Sequence, residues 1–366
     1  MRSRLALLCP GQGAQGPAMF DLARGDAATG ALLDSWLAGA GLNPGPNLNP
    51  DLDPNLDPSP NPNPDLDPSL DIDPSLDPNP DFDRSVDLGS NLNLDPARKL
   101  PLQTLLQDQA LLFSNRMAQP LIVAATLATW TALGPSVAQP AIVAGYSIGE
   151  LAAYAVAGAL APGNAVRLAR QRAGLMDACL HSAPQQALVA LSGIASSTAA
   201  AIARVQGFHP AIETAEDSLI VGGLLAERDA LVQAVMAAGG RATVLPVEVA
   251  SHTPFMAGAV APFAALLRAQ GLCDLQAPVL SGIAAEPIHQ SDKAIDHLSR
   301  QLAEPILWHA CMDALAEAGV TVALELGPGA ALAHMLQARH PGIACRSVAD
   351  FRSLEGVRAW LSRHVD

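Results

Sequence analysis

The feature that most restricts the fold of this chain is a short apolar run that ends in a glycine–serine turn and leads directly into a helix. The run Ala141-Ile142-Val143-Ala144-Gly145 is uncharged and has the composition of a strand buried on both faces. The segment from Glu150 onward has a helical composition. Glu150 falls in the first turn of the predicted helix, where the helix dipole favours negative charge. Strands buried on both faces need helices on either side, so we predict an α/β fold with a largely parallel sheet.

Other apolar segments fit the same sheet. Residues 5–9 and 322–326 have the pattern of buried strands, and residues 120–133 have the length and alanine-leucine content of a buried helix. Residues 117–149 carry no charge, but internal prolines and glycines divide them. The resulting helix of about fourteen residues is shorter than the roughly 20 residues that cross a bilayer. We therefore predict no membrane span and a cytoplasmic location.

The middle of the chain has a different order of elements. The pattern predicts a strand, a helix, two strands flanking the Glu216-Asp217 turn, another helix and a final strand. These elements cover residues 187–191, 196–205, 211–214, 218–221, 226–238 and 242–249. The order βαββαβ is typical of the ferredoxin-like arrangement. We predict a small ferredoxin-like subdomain at residues 186–249, inserted into a large α/β subdomain of residues 1–185 and 250–366, with a cleft at their junction.

Residues 43–96 have a composition unsuited to any packed element. These 54 residues contain 12 Asp, 9 Asn and 13 Pro, with Arg84 as the one base, and they carry −11 of the net charge of −14. Frequent proline removes backbone donors and favours extended conformations, so neither a helix nor an inner strand can persist. We predict a disordered insert. The alternative is a calcium-binding loop. The absence of the glycine and of the bidentate glutamate found at fixed positions in such loops disfavours it.

Composition excludes several classes of protein. Outside the acidic insert the chain is nearly neutral, so no broad face could neutralise phosphates, and we predict no nucleic-acid binding. The cysteines are scattered and include no C-x-x-C pair, which fits neither a disulfide framework nor a zinc site. They are Cys9, Cys179, Cys273, Cys311 and Cys345. We expect reduced, buried thiols of a cytosolic protein, and no metal or redox cofactor.

The first predicted strand leads into a glycine-rich loop, Gly11-Gln12-Gly13-Ala14-Gln15-Gly16, which formally matches G-x-G-x-x-G. A dinucleotide site also needs a second strand that ends in an acid about 20 residues further on. The following segment is instead helical in character, with Asp34 inside it, which disfavours a nicotinamide site. The alternative use of such a loop is to present backbone N–H groups to a developing negative charge.

Gly145-Tyr146-Ser147-Ile148-Gly149 has the G-x-S-x-G pattern of a nucleophile elbow, in the strand–turn–helix context that the pattern requires. Its glycines permit a turn tight enough to expose the Ser147 hydroxyl. A serine that only caps the helix is the alternative interpretation.

A nucleophilic serine needs a base, and His252 is distinguished among nine histidines by following the end of a predicted strand. The acids between the two residues are Asp177, Asp217 and Asp229. Because none of these acids follows a buried strand, we predict a Ser147–His252 dyad whose imidazole is oriented by a backbone carbonyl.

Five motifs occur in a fixed order along nearly the whole chain outside residues 43–96. They are Gly11-Gln12-Gly13-Ala14-Gln15, the elbow followed by Glu150, Arg172 in Gln171-Arg172-Ala173-Gly174-Leu175-Met176, Ser251-His252, and Leu326-Gly327-Pro328-Gly329. In this order they resemble the malonyl-CoA:acyl carrier protein transacylases. That resemblance implies a hydrolase-like large subdomain with a ferredoxin-like small one.

The resemblance also implies residue roles and a reaction. Ser147 would be the nucleophile, His252 the base, and Arg172 the clamp on the malonate carboxylate. The backbone N–H groups of Gln12 and Ile148 would form the oxyanion hole. The implied reaction is ping-pong transfer of malonyl from malonyl-CoA, through a seryl ester, to the thiol of an acyl carrier protein without any cofactor.

Some positions depart from the usual pattern. Tyr146 stands where members that act in fatty-acid synthesis usually have His. Leu307 stands where Gln is common, at a position implied to offer its carbonyl to the histidine. Thr214 and Glu216 replace an Asn-rich hairpin implied to contact the carrier.

The Gly-Tyr-Ser elbow is more similar to the epsilon subunit of malonate decarboxylase. We therefore expect malonyl transfer to the carrier subunit of that enzyme, with its other subunits as partners. The alternatives are a transacylase of fatty acid or polyketide synthesis, a serine hydrolase or thioesterase, and a non-catalytic partner whose acidic insert is the working part.

Overall fold

The computed structural model describes residues 3–42, 101–134, 137–181 and 185–365. The predicted insert at residues 43–96 lies outside the described residues. The strands are β1 (Leu5–Cys9), β2 (Ile142–Gly145), β3 (Gln186–Ser192), β4 (His209–Ala215), β5 (Ser218–Leu224), β6 (Arg241–Val244), β7 (Val279–Leu280), β8 (Pro287–Ile288), β9 (Ile306–Leu307), β10 (Val322–Glu325) and β11 (Ala344–Ser347).

The helices of the described residues alternate with these strands. They are α1 (Asp21–Arg24), α2 (Ala27–Gly39), α3 (Leu102–Gln107), α4 (Gln109–Phe113), α5 (Asn115–Leu133), α6 (Ile148–Val156), α7 (Pro162–His181), α8 (Ser196–Val205), α9 (Arg228–Ala237), α10 (Ala257–Gln270), α11 (Ser291–Arg300), α12 (Trp308–Glu317), α13 (Ala331–Arg339) and α14 (Leu354–His364). Short 3₁₀ helices lie at Leu225–Glu227, Pro254–Met256 and Val348–Asp350.

The larger sheet, called here the large sheet, has the strand order β11-β10-β1-β2-β7-β8. Its first five strands pair in parallel, and β8 is antiparallel to β7. All of β1 is buried: Leu5, Leu7 and Cys9 contribute to one hydrophobic core, while Ala6 and Leu8 contribute to the core on the other face. Both faces of the sheet are therefore covered, and the predicted α/β class is confirmed.

The second sheet, called here the small sheet, has the order β6-β3-β5-β4-β9. The elements β3-α8-β4-β5-α9-β6 supply the predicted ferredoxin-like βαββαβ order, and their strands pair antiparallel. The fifth strand, β9, comes from far outside residues 186–249 and pairs in parallel with β4, placing Ile306 opposite Ile212. The small sheet thus includes later chain, and the subdomain boundaries at 186 and 249 stay a prediction.

Two proline positions explain the largest differences in predicted element bounds. The strand predicted at 242–249 ends at Val244, because Pro246 has no N–H to continue a ladder. The helix predicted at 120–133 begins earlier, at Asn115, and contains Pro120 in its second turn. A proline there removes one helical hydrogen bond without ending the helix. Within the described ranges, no helix combines the length and apolarity needed to cross a bilayer.

The cysteines are less uniformly buried than the composition suggests. Cys9 and Cys311 are buried, Cys179 and Cys345 are half-buried, and Cys273 is exposed. The expectation of buried thiols is therefore wrong for Cys273, which lies in the surface segment after α10. All five are free thiols.

The elbow glycines set how closely the backbones approach. A Cβ built on Gly149 would lie 2.6 Å from the Pro10 carbonyl oxygen and closer still to that of Cys9. A Cβ on Gly145 would overlap the Glu150 backbone. The start of α6 therefore presses directly on the end of β1.

We predict that Gly149→Ala destabilises the fold by roughly 1–3 kcal/mol or more, because the new methyl meets backbone atoms that cannot rotate away. The matched control is Gly174→Ala in α7, where a Cβ meets nothing within 4 Å. That variant should be stabilised by about 0.5–1 kcal/mol, since alanine is the better helix former. Urea unfolding of both variants measures the difference, and equal stabilities would contradict the packing described above.

Candidate active site

Ser147 occupies the sharp turn between β2 and α6. Its backbone has φ 55° and ψ −119°, a conformation costly for a residue other than glycine. Hydrogen bonds hold the turn: the Tyr146 N–H donates to the Cys9 carbonyl at 3.0 Å, and the Gly149 N–H donates to the Tyr146 carbonyl at 2.9 Å. The half-buried serine therefore presents its hydroxyl at the N-terminal end of α6.

His252 lies against this hydroxyl. Its Nε2 is 2.8 Å from Ser147 Oγ, and its Nδ1 is 2.6 Å from the Gln301 carbonyl oxygen. Because a carbonyl can only accept, Nδ1 carries the proton and Nε2 is left as the acceptor for the serine hydroxyl. A backbone carbonyl thus orients the ring, but it belongs to Gln301. The resemblance implied Leu307 for this contact, which the Gln301 carbonyl makes instead.

The surroundings of His252 favour a neutral ring. Burial and the nearby Arg172 charge lower its pKa to about 3, against the opposing effect of the Gln301 carbonyl. The imidazole is therefore unprotonated at neutral pH, which is the state that a general base requires.

Arg172 projects from α7 and is buried, with 1% of its surface exposed. Its Nη1 donates to Gln119 Oε1 at 2.7 Å, and its Nη2 donates to Gln301 Oε1 at 3.3 Å. Burial lowers its pKa to about 10, with Glu150 acting in the opposite direction, so the group remains a cation at neutral pH. Both amide partners are neutral, so they leave the positive charge of Arg172 in place. Because Gln301 contacts both Arg172 and His252, this buried charge lies close to the dyad.

Three polar side chains of this network were not singled out for the site by the sequence analysis. Glu150 Oε2 accepts from the Gly282 N–H at 3.0 Å and from Gln301 Nε2 at 2.5 Å. Gln119 donates to Asn115 Oδ1 at 2.6 Å as well as accepting from Arg172. The one available signal for Gln119 was a polar side chain within the uncharged residues 117–149. Gln301 follows α11 and belongs to no motif.

The glycine-rich loop after β1 lies directly against the elbow. A Cβ on Gly11 would lie 2.9 Å from the Tyr146 carbonyl oxygen and 3.7 Å from Ser147 Cβ, so Gln12 follows directly beside the serine. Ile148 is the first residue of α6, whose initial N–H groups have no partner within the helix. Among the hydrogen bonds of the described residues, none uses the backbone N–H of Gln12 or Ile148 as donor.

The sequence profile of the acyl transferase domain family matches residues 94–352, well over half of the chain. The malonyl CoA-acyl carrier protein transacylase of Mycobacterium bovis is 33% identical over 235 residues, which cover 63% of this chain and 77% of the relative. The chain belongs to the malonyl-CoA:acyl carrier protein transacylase family. The transacylase of Escherichia coli K12 is 29% identical over 222 residues, covering 58% of this chain and 71% of that protein.

Solved structures show the same fold. The transacylase of Xanthomonas oryzae superposes with a TM-score of 0.78 at 23% identity, covering 100% of both chains. The Mycobacterium tuberculosis enzyme gives a TM-score of 0.74 at 26% identity, covering 97% of this chain and 99% of that chain. The family resemblance inferred from the motifs is confirmed at this level.

In this transacylase-family chain, the ring nitrogens of His252 contact Ser147 and Gln301, and neither contacts any of the three acids considered as triad members. Asp177 accepts from Asn115 Nδ2 at 2.8 Å, and Asp217 and Asp229 are exposed.

A cleft of about 830 Å³ lies between helices α4, α5 and α7 on one side and strands β3 and β6 of the small sheet on the other. Its lining includes Gln12 of the glycine-rich loop but neither Ser147 nor His252. Within the described ranges, no three His, Cys, Asp or Glu side chains are grouped to hold a metal.

A second serine–histidine pair offers a matched control for the dyad. Ser281 Oγ lies 2.8 Å from His297 Nδ1, but this serine is fully buried and is not on an elbow. We predict that His252→Ala slows acylation of Ser147 by about 10²- to 10⁴-fold, the usual effect of a positioned general base.

His297→Ala should leave that rate nearly unchanged, and Ser147→Ala should abolish the covalent adduct. Intact-mass spectrometry of time-quenched samples measures each variant. An adduct that persists in Ser147→Ala, or full activity of His252→Ala, would contradict the assignment.

Proposed function

We propose that this chain is a malonyl-CoA:acyl carrier protein S-malonyltransferase acting through a Ser147 ester. The observation that carries the proposal is the double contact of Gln301. Its main-chain carbonyl holds His252, and its side chain holds the buried cation Arg172. A fixed positive charge therefore stands beside a serine–histidine dyad, which suits an acyl group that carries its own carboxylate.

The proposed reaction uses the contacts described above. His252 Nε2 takes the Ser147 proton as Oγ attacks the thioester carbonyl, and the N–H groups of Gln12 and Ile148 stabilise the resulting oxyanion. The tetrahedral intermediate collapses, and CoA leaves with the proton held by His252. The thiol of the carrier protein then attacks the seryl ester by the same steps in reverse.

Arg172 accounts for the choice of malonyl over acetyl. An unpaired carboxylate in a partly dry cleft is costly, and a guanidinium can meet it with two parallel hydrogen bonds. The amide partners of Arg172, Gln119 and Gln301, fix the guanidinium without cancelling its charge.

The relatives support a carrier protein as acceptor. The relatives from Mycobacterium bovis and Escherichia coli are both named malonyl CoA-acyl carrier protein transacylases. One structure with a TM-score of 0.75 and 22% identity, covering 98% of this chain and 99% of that chain, is a malonyl-transacylase in complex with a type II polyketide acyl-carrier protein. By analogy, we propose an acyl carrier protein as the partner of this chain.

The narrower proposal concerns which carrier is used. The Tyr146 ring packs edge-on against Trp308, with centroids 5.3 Å apart, so the elbow position usually held by His is filled by an aromatic contact. Glu216 of the β4–β5 hairpin accepts two hydrogen bonds from the Arg339 guanidinium, at 3.1 and 2.8 Å, and so forms an ion pair within the chain. These departures support the carrier subunit of malonate decarboxylase as acceptor, with the other subunits of that complex as partners.

We predict that malonyl-loaded protein transfers its acyl group faster to a malonate decarboxylase carrier subunit than to a carrier of fatty acid or polyketide synthesis. Rapid-quench transfer rates to the two carriers test this. Faster transfer to the second carrier would replace the narrower proposal with the general one. Hydrolysis that outpaces transfer to both carriers would instead indicate a thioesterase.

Arg172→Ala should lose malonyl loading by about 3 kcal/mol of transition-state binding, more than a hundredfold, with acetyl loading retained or improved. Arg172→Lys should recover only part of the activity, because an ammonium cannot form the bidentate pair. The matched control is Arg167→Ala on the same helix, whose side chain contacts Asn164 and Gln270 at the surface. Equal losses with acetyl-CoA and malonyl-CoA would show that Arg172 is structural.

A further inference from the structure

Glu150 has a place in the site that its position in the sequence does not reveal. It lies three residues after Ser147, is 1% exposed, and accepts from Gln301 Nε2 at 2.5 Å. Since an ionised carboxylate can only accept, this contact turns the NH₂ group of the Gln301 amide toward Glu150. The amide oxygen is then left facing Arg172 at 3.3 Å.

The same glutamine carries the carbonyl that orients the base. Gln301 O lies 2.6 Å from His252 Nδ1, so the side chain and the main chain of one residue serve the cation and the imidazole together. The Gly282 N–H, which donates to the same Glu150 oxygen at 3.0 Å, fixes the carboxylate in turn.

We propose that Glu150 is a positioning residue: when ionised, it locks Gln301 in the orientation that aligns His252 with Ser147, and protonation releases that lock. This proposal depends on the proposed function only for the statement that the dyad transfers malonyl groups. The positioning itself concerns the reactivity of Ser147 toward any electrophile.

The charges around Glu150 place its protonation in an accessible pH range. Burial raises its pKa to about 7, against the opposing hydrogen bonds from Gly282 and Gln301 and the charge of Arg172. Arg172 from α7 stays a cation, while burial raises the pKa of Tyr154 on α6 and of Cys311 on α12, so both stay neutral.

His252 stays neutral as well, because its pKa is lowered to about 3. Of the groups that face this network, Glu150 is therefore the one that changes charge near neutral pH. A charge-assisted hydrogen bond is about twice as strong as a neutral one, so protonation weakens the hold on Gln301. The reactivity of Ser147 should rise as pH increases through about 7.

The test uses a neutral fluorophosphonate, because an uncharged reagent does not engage Arg172 as malonyl would. Ser147 Oγ forms a bond to phosphorus, the P–F bond breaks, fluoride leaves, and the hydroxyl proton passes to His252. Phosphonylation rates of the full chain are measured by intact mass between about pH 5.5 and 8.5, corrected for hydrolysis of the reagent.

The wild-type rate should rise roughly tenfold across this range, the effect of losing one charge-assisted hydrogen bond. Glu150→Gln should be flat and slow, because the amide keeps the shape but carries no titrating charge. The matched control is Glu325→Gln. Glu325 is also fully buried, accepts from the Ala333 N–H at 2.9 Å, and has a pKa raised to about 7 by burial, but it contacts neither Gln301 nor His252 in the hydrogen-bond network.

Glu325→Gln should therefore keep the wild-type profile. A flat wild-type profile overturns the proposal and needs no variant, so the test stands even if Glu150→Gln fails to fold. A rise retained in Glu150→Gln, or lost in Glu325→Gln, also overturns it. If the phosphonylation profiles are as expected but malonyl-CoA does not load the protein, the proposed function fails while the role of Glu150 stands.

Discussion

The close contact between two backbone turns underlies the rest of the site. The end of β1 and the start of α6 meet with no side chain between them, because Gly149 lies against the carbonyl oxygens of Cys9 and Pro10. This contact places the Gln12 loop beside Ser147 and holds the serine in a conformation that it would not adopt alone. The positions of the proposed nucleophile and of the N–H groups proposed to stabilise its oxyanion thus depend on the packing of backbone against backbone.

The other half of the site depends on one residue that joins separate parts of the chain. Gln301 follows α11, yet it contacts His252 through its carbonyl and both Arg172 and Glu150 through its amide. Because each contact uses a different atom of Gln301, moving this residue would disturb His252, Arg172 and Glu150 together. Buried polar networks are costly when only partly satisfied, which favours their being formed as a unit.

The sequence predicted what backbone geometry dictates and missed what distant side chains assemble. Buried strands, the elbow and the βαββαβ order follow from local periodicity and glycine spacing, and the structure contains them. The partner of His252 was predicted to be a carbonyl, but its identity depended on where the chain returns after α11, which no local pattern encodes. The helix beginning at Asn115 and the strand ending at Val244 differ from prediction because of how single prolines are accommodated.

The charge balance of the buried network bears on why Arg172 is held by amides. A carboxylate placed directly on the guanidinium would satisfy it and leave nothing for an anionic acyl group, whereas Gln119 and Gln301 orient it and leave its charge in place. Glu150 stands one residue further away, across Gln301, where burial raises its pKa to about 7. From there, the negative charge of Glu150 offsets part of the cost of burying the Arg172 cation, but Glu150 does not contact the guanidinium itself. An incoming malonyl carboxylate would therefore meet a positioned cation whose own counter-charge is only partly ionised at neutral pH.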